Sequence, residues 1–277
     1  MPRPLRASAR PKLGQNFLAD PRAALRIVNA LGDISAATVV EIGSGRGALT
    51  EVLATRARHL IAIELDRVLG AQLRMRYARQ PNIEIVEGDV LDIDFHSLMR
   101  RTRRTSGDTK PQSTERALVV GNLPYYITSP ILMHLFAHHD VIDKIVIMVQ
   151  REVAERIAAK PGSRAYGLLS ATAQLYARVA KLFTLPPGAF SPPPKVHSTV
   201  LRLTIEPRQL GVPAAELLEF LKLSFGQKRK TLLNNLRTHY EEEQVRRALR
   251  AASIRPDARA EAIPLEKAAT VLKQLGA

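Results

Sequence analysis

Asn122-Leu123-Pro124-Tyr125 is the most specific chemical signal in the chain. It follows a short apolar run at 117–121, so it stands where a strand gives way to a loop. The asparagine offers an amide oxygen, Pro124 turns backbone carbonyls outward, and Tyr125 offers a π face. Those groups suit a flat heterocycle that carries an exocyclic amine. Upstream, Glu41-Ile42-Gly43-Ser44-Gly45-Arg46-Gly47 closes another apolar run with a carboxylate and a glycine-rich turn. Its glycines let the backbone approach a ligand without a Cβ in the way, and the following helix presents unpaired N–H groups. The spacing is G-x-G-x-G, distinct from the G-x-G-x-x-G dinucleotide fingerprint. A third run ends in Glu64, roughly 20 residues on, where a nucleotide-binding fold sets an acid on ribose hydroxyls.

Elements that would position these residues follow from the hydropathy pattern. Strand-like runs at 38–42, 59–63, 83–87, 117–121 and 143–149 alternate with helix-like stretches near 48–56, 66–79 and 129–138. That alternation predicts a parallel sheet covered by helices on both faces, with ligands at the carboxyl ends of the strands. Gly43, Glu64, Asp89 and Asn122 close successive runs at that edge, and one shared crevice accounts for all four. A first helix is expected over 23–31, with Asp20 as cap, Pro21 at the first helical position and Gly32 as stop. Arg151 to Ile157 reads as a charged helix with i,i+4 pairing. Two further apolar runs, 179–185 and 198–205, flank the rigid segment Phe190-Ser-Pro-Pro-Pro-Lys-Val-His-Ser198, a lid from which Phe190 projects as a second stacking wall. Residues 206–213 read as an interdomain linker, followed by helices at 214–225, 229–238, 241–251 and 265–275. The domain organisation is therefore a basic arm and closing motif at 1–19, an α/β domain at 20–206 and a smaller all-helical domain at 207–277.

Forty-one Lys+Arg against 26 Asp+Glu give a net charge of +15, which suits a polyanionic partner. The basic stretch 100–114 has no periodicity and reads as a solvated surface loop. Lys228, Arg229 and Lys230 open the helix at 229–238 as a phosphate-contact patch, with Arg237 near the same face. Zero cysteines exclude a disulfide scaffold, a thiolate metal site and a cysteine nucleophile. No apolar run approaches the ~18 residues of a membrane span. The basic arm lacks the apolar core of a secretory signal, so a cytoplasmic protein is expected, and it is read as a monomer with no membrane contact.

Together these residues resemble the ribosomal RNA adenine N6-dimethyltransferases, enzymes of the Rossmann-like class that use S-adenosylmethionine. The resemblance runs from Lys12 to about Leu275 and rests on Leu13-Gly-Gln-Asn-Phe-Leu18, Glu41 to Gly47, Asn122 to Tyr125, Phe190 to Val196 and Phe225-Gly-Gln-Lys-Arg-Lys230. The last two, with the helical C-terminal part, look most like the bacterial small-subunit enzymes. Those dimethylate two adjacent adenosines in the 3′-terminal hairpin of 16S rRNA during subunit maturation. The resemblance implies that Asn16 and Leu18 close over the methionine end of the cofactor and that Gly43 lies against it. It likewise implies Glu64 on the ribose hydroxyls, Asp89 on the adenine amine and Asn122 beside the sulfonium. Tyr126 departs from the asparagine expected at its position.

Adenine N6 is a poor nucleophile because its lone pair is delocalised into the ring. The implied chemistry has N6–H donate to the Asn122 side-chain oxygen and the Leu123 carbonyl, favouring a pyramidal nitrogen, while Tyr125 and Phe190 hold the extruded base by stacking. A sulfonium supplies the electrophile, so the chemistry calls for no metal, and positioning supplies most of the rate. Two other readings remain open on sequence: a methyltransferase acting on large-subunit RNA or DNA, and a non-catalytic assembly factor that keeps the fold.

Overall fold

The computed structural model describes residues 16–105, 116–124 and 126–276. Tyr125, the motif residues Leu13 to Gln15, and 106–114 of the basic stretch lie outside the described residues. The strands are β1 (Phe17–Leu18), β2 (Thr38–Ile42), β3 (His59–Glu64), β4 (Ile83–Glu87), β5 (Ala117–Asn122), β6 (Ile142–Gln150), β7 (Ala177–Leu185), β8 (Phe190–Ser191) and β9 (Ser198–Ile205). Seven of them form one sheet in the order β4-β3-β2-β5-β6-β9-β7. β4 to β6 in that order run parallel, and β9 and β7 join antiparallel. The apolar runs at 179–185 and 198–205 are thus the hairpin-like extension of an otherwise parallel sheet.

Helices α1 (Pro21–Asn29), α2 (Ala48–Ala54), α3 (Arg67–Tyr77), α4 (Phe95–Thr105), α5 (Thr128–Ala137), α6 (Arg151–Ile157) and α7 (Leu168–Tyr176) connect or cover the strands, and α8 (Ala214–Ser224), α9 (Leu232–Leu236), α10 (Glu242–Ala251) and α11 (Leu265–Gly276) follow. Successive side chains on a strand point to opposite faces, and two cores result. Val39, Leu60, Val120 and Met148 pack toward α1 and α2. Val40, Ile61, Val119 and Ile147 pack on the other face with residues of α4, α5 and α7. This second core continues without a break into Phe220, Leu236, Val245 and Val271 of the C-terminal helices. The segment expected as a linker is pinned to the sheet domain: Glu206 and Arg208 donate their N–H groups to the carbonyls of Tyr176 and Leu175, at 3.0 and 2.9 Å.

Helix α1 starts at Pro21, the expected first helical position, with the expected cap Asp20 accepting from the N–H of Arg22 and Ala23. Two expectations change. Residues 100–105 are helix rather than loop, because Phe95, Leu98, Met99 and Thr102 share one buried stripe of α4. Arg100 and Arg101 are simply its solvent face. Lys228 to Lys230 lie in a turn rather than a helix. Asn235 holds that turn through its amide, which donates to the carbonyls of Ser224 at 2.7 Å and Gln227 at 3.2 Å, and Thr231 caps α9 only after it. Helix α7 had no reading in the sequence.

Candidate active site

The order of strands reverses beside β2, whose neighbours are β3 on one side and β5 on the other. At such a switch point the loops after adjacent strands diverge and leave a crevice. Gly121 shows how closely β5 packs there, since a Cβ on it would stand 2.6 Å from the Ile42 carbonyl oxygen. Asn16, Gly43, Glu64, Asp89, Asn122 and Leu123 all line this one crevice.

The glycine turn is shaped from below. Gly43, Gly45 and Gly47 have φ of +72°, +56° and +86°, values that side chains rarely adopt. Gly43 N–H donates to the Ile63 carbonyl at 2.9 Å, fastening the turn to β3. Glu64 accepts from Gly45 N–H at 2.6 Å and from Asp66 N–H at 2.8 Å. A buried carboxylate is thus held in a fixed orientation at the crevice wall. Glu41 of β2 faces α2, where the Thr50 hydroxyl donates to it at 2.6 Å. Burial pushes its carboxyl up to about 7 against that hydrogen bond.

Asp89 orients by accepting from Leu91 N–H at 3.0 Å, which starts the 3-10 turn Val90–Asp92. Asn122 donates its side-chain amide to the Asn16 carbonyl at 3.0 Å. Pro124 accepts at its carbonyl from Ile127 N–H and from the Thr128 hydroxyl, each at 3.2 Å, so the turn after Asn122 is anchored to the start of α5.

Two expected side chains lie elsewhere. Leu18 and Phe190 face each other across the antiparallel pair of β1 and β8, and both are buried in the core on the α1 face. Register partners share a face, so the ladder that brings the two together also turns both away from the crevice. Phe190 therefore does not form the second stacking wall. Phe17, on the opposite face, lines the crevice instead. Its ring would stand only 3.0 Å from a Cβ on Gly45, and it carries the Arg46 guanidinium 4.5 Å from its centroid. Asn16-Phe17 beside a glycine-rich turn was the available signal for it. Tyr126 lines the same crevice with 63% of its surface exposed.

The four cationic candidates lie apart from the crevice. Lys228, Arg229, Lys230 and Arg237 are all exposed. Lys228 and Lys230 line a second groove with Tyr166 and Phe225, whereas Arg229 and Arg237 do not. Arg237 is 3.8 Å from Glu242.

Comparison with known proteins agrees with this geometry. The family model for ribosomal RNA adenine dimethylase matches residues 6–276. The chain is 58% identical over 266 residues to ribosomal RNA small subunit methyltransferase A of Koribacter versatilis, covering 95% of this chain and 93% of that one. It is 54% identical to the protein of the same name from Acidobacterium capsulatum, covering 96% and 91%. Among solved structures it is similar to a dimethyladenosine transferase from Plasmodium falciparum, with TM-score 0.76, 25% identity and coverage of 94% and 97%. The 23S rRNA methyltransferase ErmE aligns with TM-score 0.69, 25% identity and coverage of 95% and 100%. With its glycine turn, two strand-end acids and Asn122 gathered at one switch point, the chain belongs to the ribosomal RNA adenine dimethylase family.

Proposed function

We propose that this protein dimethylates N6 of two adjacent adenosines in the 3′-terminal hairpin loop of 16S rRNA, acting on the immature small subunit. Membership of the family makes it an S-adenosylmethionine-dependent rRNA adenine dimethyltransferase. The small-subunit names of its relatives support the choice of RNA. The observation that carries the reading is the convergence of Glu64, Asp89 and Asn122 on one crevice floored by glycine.

The crevice fits the cofactor by the chemistry of its groups. Acceptors at Glu64 and Asp89 match ribose hydroxyls and an adenine amine, Ile63 and Val90 supply apolar walls, and Gly43 leaves backbone open to close approach. In the proposed assignment Asn16 closes over the methionine end, Gly43 lies beneath it, and Leu18 acts through the β1–β8 ladder that fixes Asn16 and Phe17. When bound, the sulfonium presents a methyl carbon as electrophile.

The chain's own task is to aim a nitrogen at that carbon. With the Asn122 amide nitrogen engaged by Asn16, its oxygen accepts one N6–H and the Leu123 carbonyl accepts the other, which pyramidalises the nitrogen and takes its lone pair out of conjugation with the ring. Tyr125 holds the extruded base by stacking, and Phe190 acts as a positioning residue through its pairing with Leu18. The proton on the cationic product nitrogen is acidic enough to leave to water, so positioning and preorganised hydrogen bonds account for the acceleration.

Lys228, Arg229, Lys230 and Arg237 are assigned to RNA phosphates within a C-terminal RNA-binding domain at 207–277, next to the methyltransferase domain at 20–206 and the arm and closing motif at 1–19. The protein is assigned to the cytoplasm and acts as a monomer; no helix among the described residues is long and apolar enough to cross a membrane. Incubation with separated small- and large-subunit RNAs and particles, followed by mass spectrometry of fragments, tests the substrate. Two adjacent dimethyladenosines near the 16S 3′ end are expected, and modification confined to 23S rRNA would overturn the assignment.

A further inference from the structure

Behind the crevice, the start of α4 meets the end of α5, and two imidazoles converge there on one carboxylate oxygen. Asp94 Oδ1 lies 3.4 Å from His96 Nδ1 and 3.4 Å from His138 Nε2. One ligand atom from each of the three residues lies within 4.8 Å of the others. The far nitrogen of each ring is already committed. His96 Nε2 faces the two oxygens of Asp140 at 3.0 and 2.8 Å. His138 Nδ1 faces the His134 carbonyl at 2.9 Å. Carbonyl and carboxylate oxygens only accept, so each of those nitrogens must carry the hydrogen. In the neutral rings the lone pairs then sit on His96 Nδ1 and His138 Nε2, each 3.4 Å from the Asp94 oxygen.

Three acceptors gathered in one place are unfavourable unless a cation sits among them, either a metal ion or a proton on one ring nitrogen. Outer acceptors that fix the tautomer and ring orientation of histidines are the usual surroundings of metal-ligating imidazoles. The two 3.4 Å separations also fit, because atoms at the corners of a tetrahedron with bonds of ~2.0–2.1 Å stand ~3.4 Å apart, and the third edge lies within 4.8 Å. Asp94 is steadied independently: its Oδ2 accepts from the Ser97 hydroxyl at 2.6 Å and its Oδ1 from His96 N–H at 3.1 Å.

We propose that Asp94, His96 and His138 bind one divalent transition-metal ion of the zinc type, with Asp140 as the outer partner of His96. Two imidazoles and a carboxylate suit Zn²⁺ over Mg²⁺ or Ca²⁺, which prefer all-oxygen shells. The half-exposed Asp94 side chain leaves remaining positions to water. The ion fastens the segment after Asp89 to α5, both of which contribute walls of the crevice through Val90 and Ile131. A second clip already joins the same elements, with His134 Nε2 on the Ile93 carbonyl at 2.8 Å. The role is structural and independent of the chemistry assigned to Asn122.

Untagged full-length protein, stripped with chelator and dialysed, is titrated with zinc chloride at pH 7.5 in a calorimeter. One saturable site is expected, with zinc raising the thermal midpoint of the wild type. His138→Gln and His96→Gln should each weaken binding at least ~10-fold and abolish the midpoint shift, and Asp140→Asn should weaken it by about 10–100-fold. X-ray absorption of the zinc-loaded wild type should show two imidazole nitrogens at ~2.0 Å. Absence of saturable zinc binding to the folded wild type, an absorption spectrum without imidazole scattering, or affinity unchanged in both histidine variants overturns the site.

Discussion

The side-chain amide nitrogen of Asn122 donates to the backbone carbonyl of Asn16 at 3.0 Å, across 106 positions of sequence. A carbonyl oxygen accepts and never donates, so this bond sets which way the amide faces and reserves the Asn122 oxygen as an acceptor. The residue assigned to the nucleobase and the segment assigned to the cofactor are therefore held by one side chain.

Asn122→Ala should lower methyl transfer by about 10²–10³-fold, the size seen when a preorganised hydrogen-bonding group is removed. Cofactor affinity should fall far less, since Glu64 and Asp89 are untouched. Single-turnover transfer of radiolabelled methyl to RNA, paired with calorimetry, separates the two. Near-normal turnover would remove Asn122 from the mechanism.

Glu64 has two tasks, and its substitutions should divide them. Loss of a charge-assisted bond to the ribose should weaken cofactor binding by roughly 1.5–3 kcal/mol in either Glu64→Ala or Glu64→Gln. Glu64→Ala also leaves Gly45 and Asp66 N–H groups without their acceptor, and it should unfold at lower denaturant than Glu64→Gln. Calorimetry and urea melts report these separately; unchanged affinity in both variants would refute the ribose assignment.

Burial raises the Glu41 carboxyl from its ordinary 4.5 to about 7 in the folded protein. Between those values the folded state binds more protons than the unfolded one, so stability falls as pH rises. The contribution is fully present below about pH 4.5 and lost above about 7, a span of roughly 3 kcal/mol. Glu41→Gln should flatten this part of the profile and gain on the wild type near pH 8. Urea melts from pH 5 to 8 measure it, and parallel curves for the two proteins would contradict it.

The parallel strands and the crevice were largely readable because four of those strands lead into a residue with a task at the crevice. Glu64, Asp89 and Asn122 could be placed by counting apolar runs. Leu18 and Phe190 misled because pairing between β1 and β8 sets their direction, and no local pattern encodes a ladder between segments so far apart. Arg100 and Arg101 hid a helix because their charge outweighed the buried stripe of Phe95, Leu98 and Met99. Lys228 to Lys230 read as helix on propensity, while Asn235 holds them in a turn from outside.

Replacing Lys228, Arg229 and Lys230 together with Gln should weaken RNA binding and reduce its salt dependence. Three phosphate contacts correspond to a slope change of about 2–3 in log K against log salt. Filter binding of the 3′-terminal 16S fragment across salt concentrations reads this directly. An unaltered slope would make the patch a solvated face.

A crystal structure with bound S-adenosylhomocysteine tests the central claim most directly. The account predicts ribose hydroxyls on the Glu64 carboxylate, the adenine amine at Asp89, and the sulfur facing the 122–125 turn beside Asn122. A ligand seated away from the glycine turn, or one whose sulfur points away from Asn122, would contradict it.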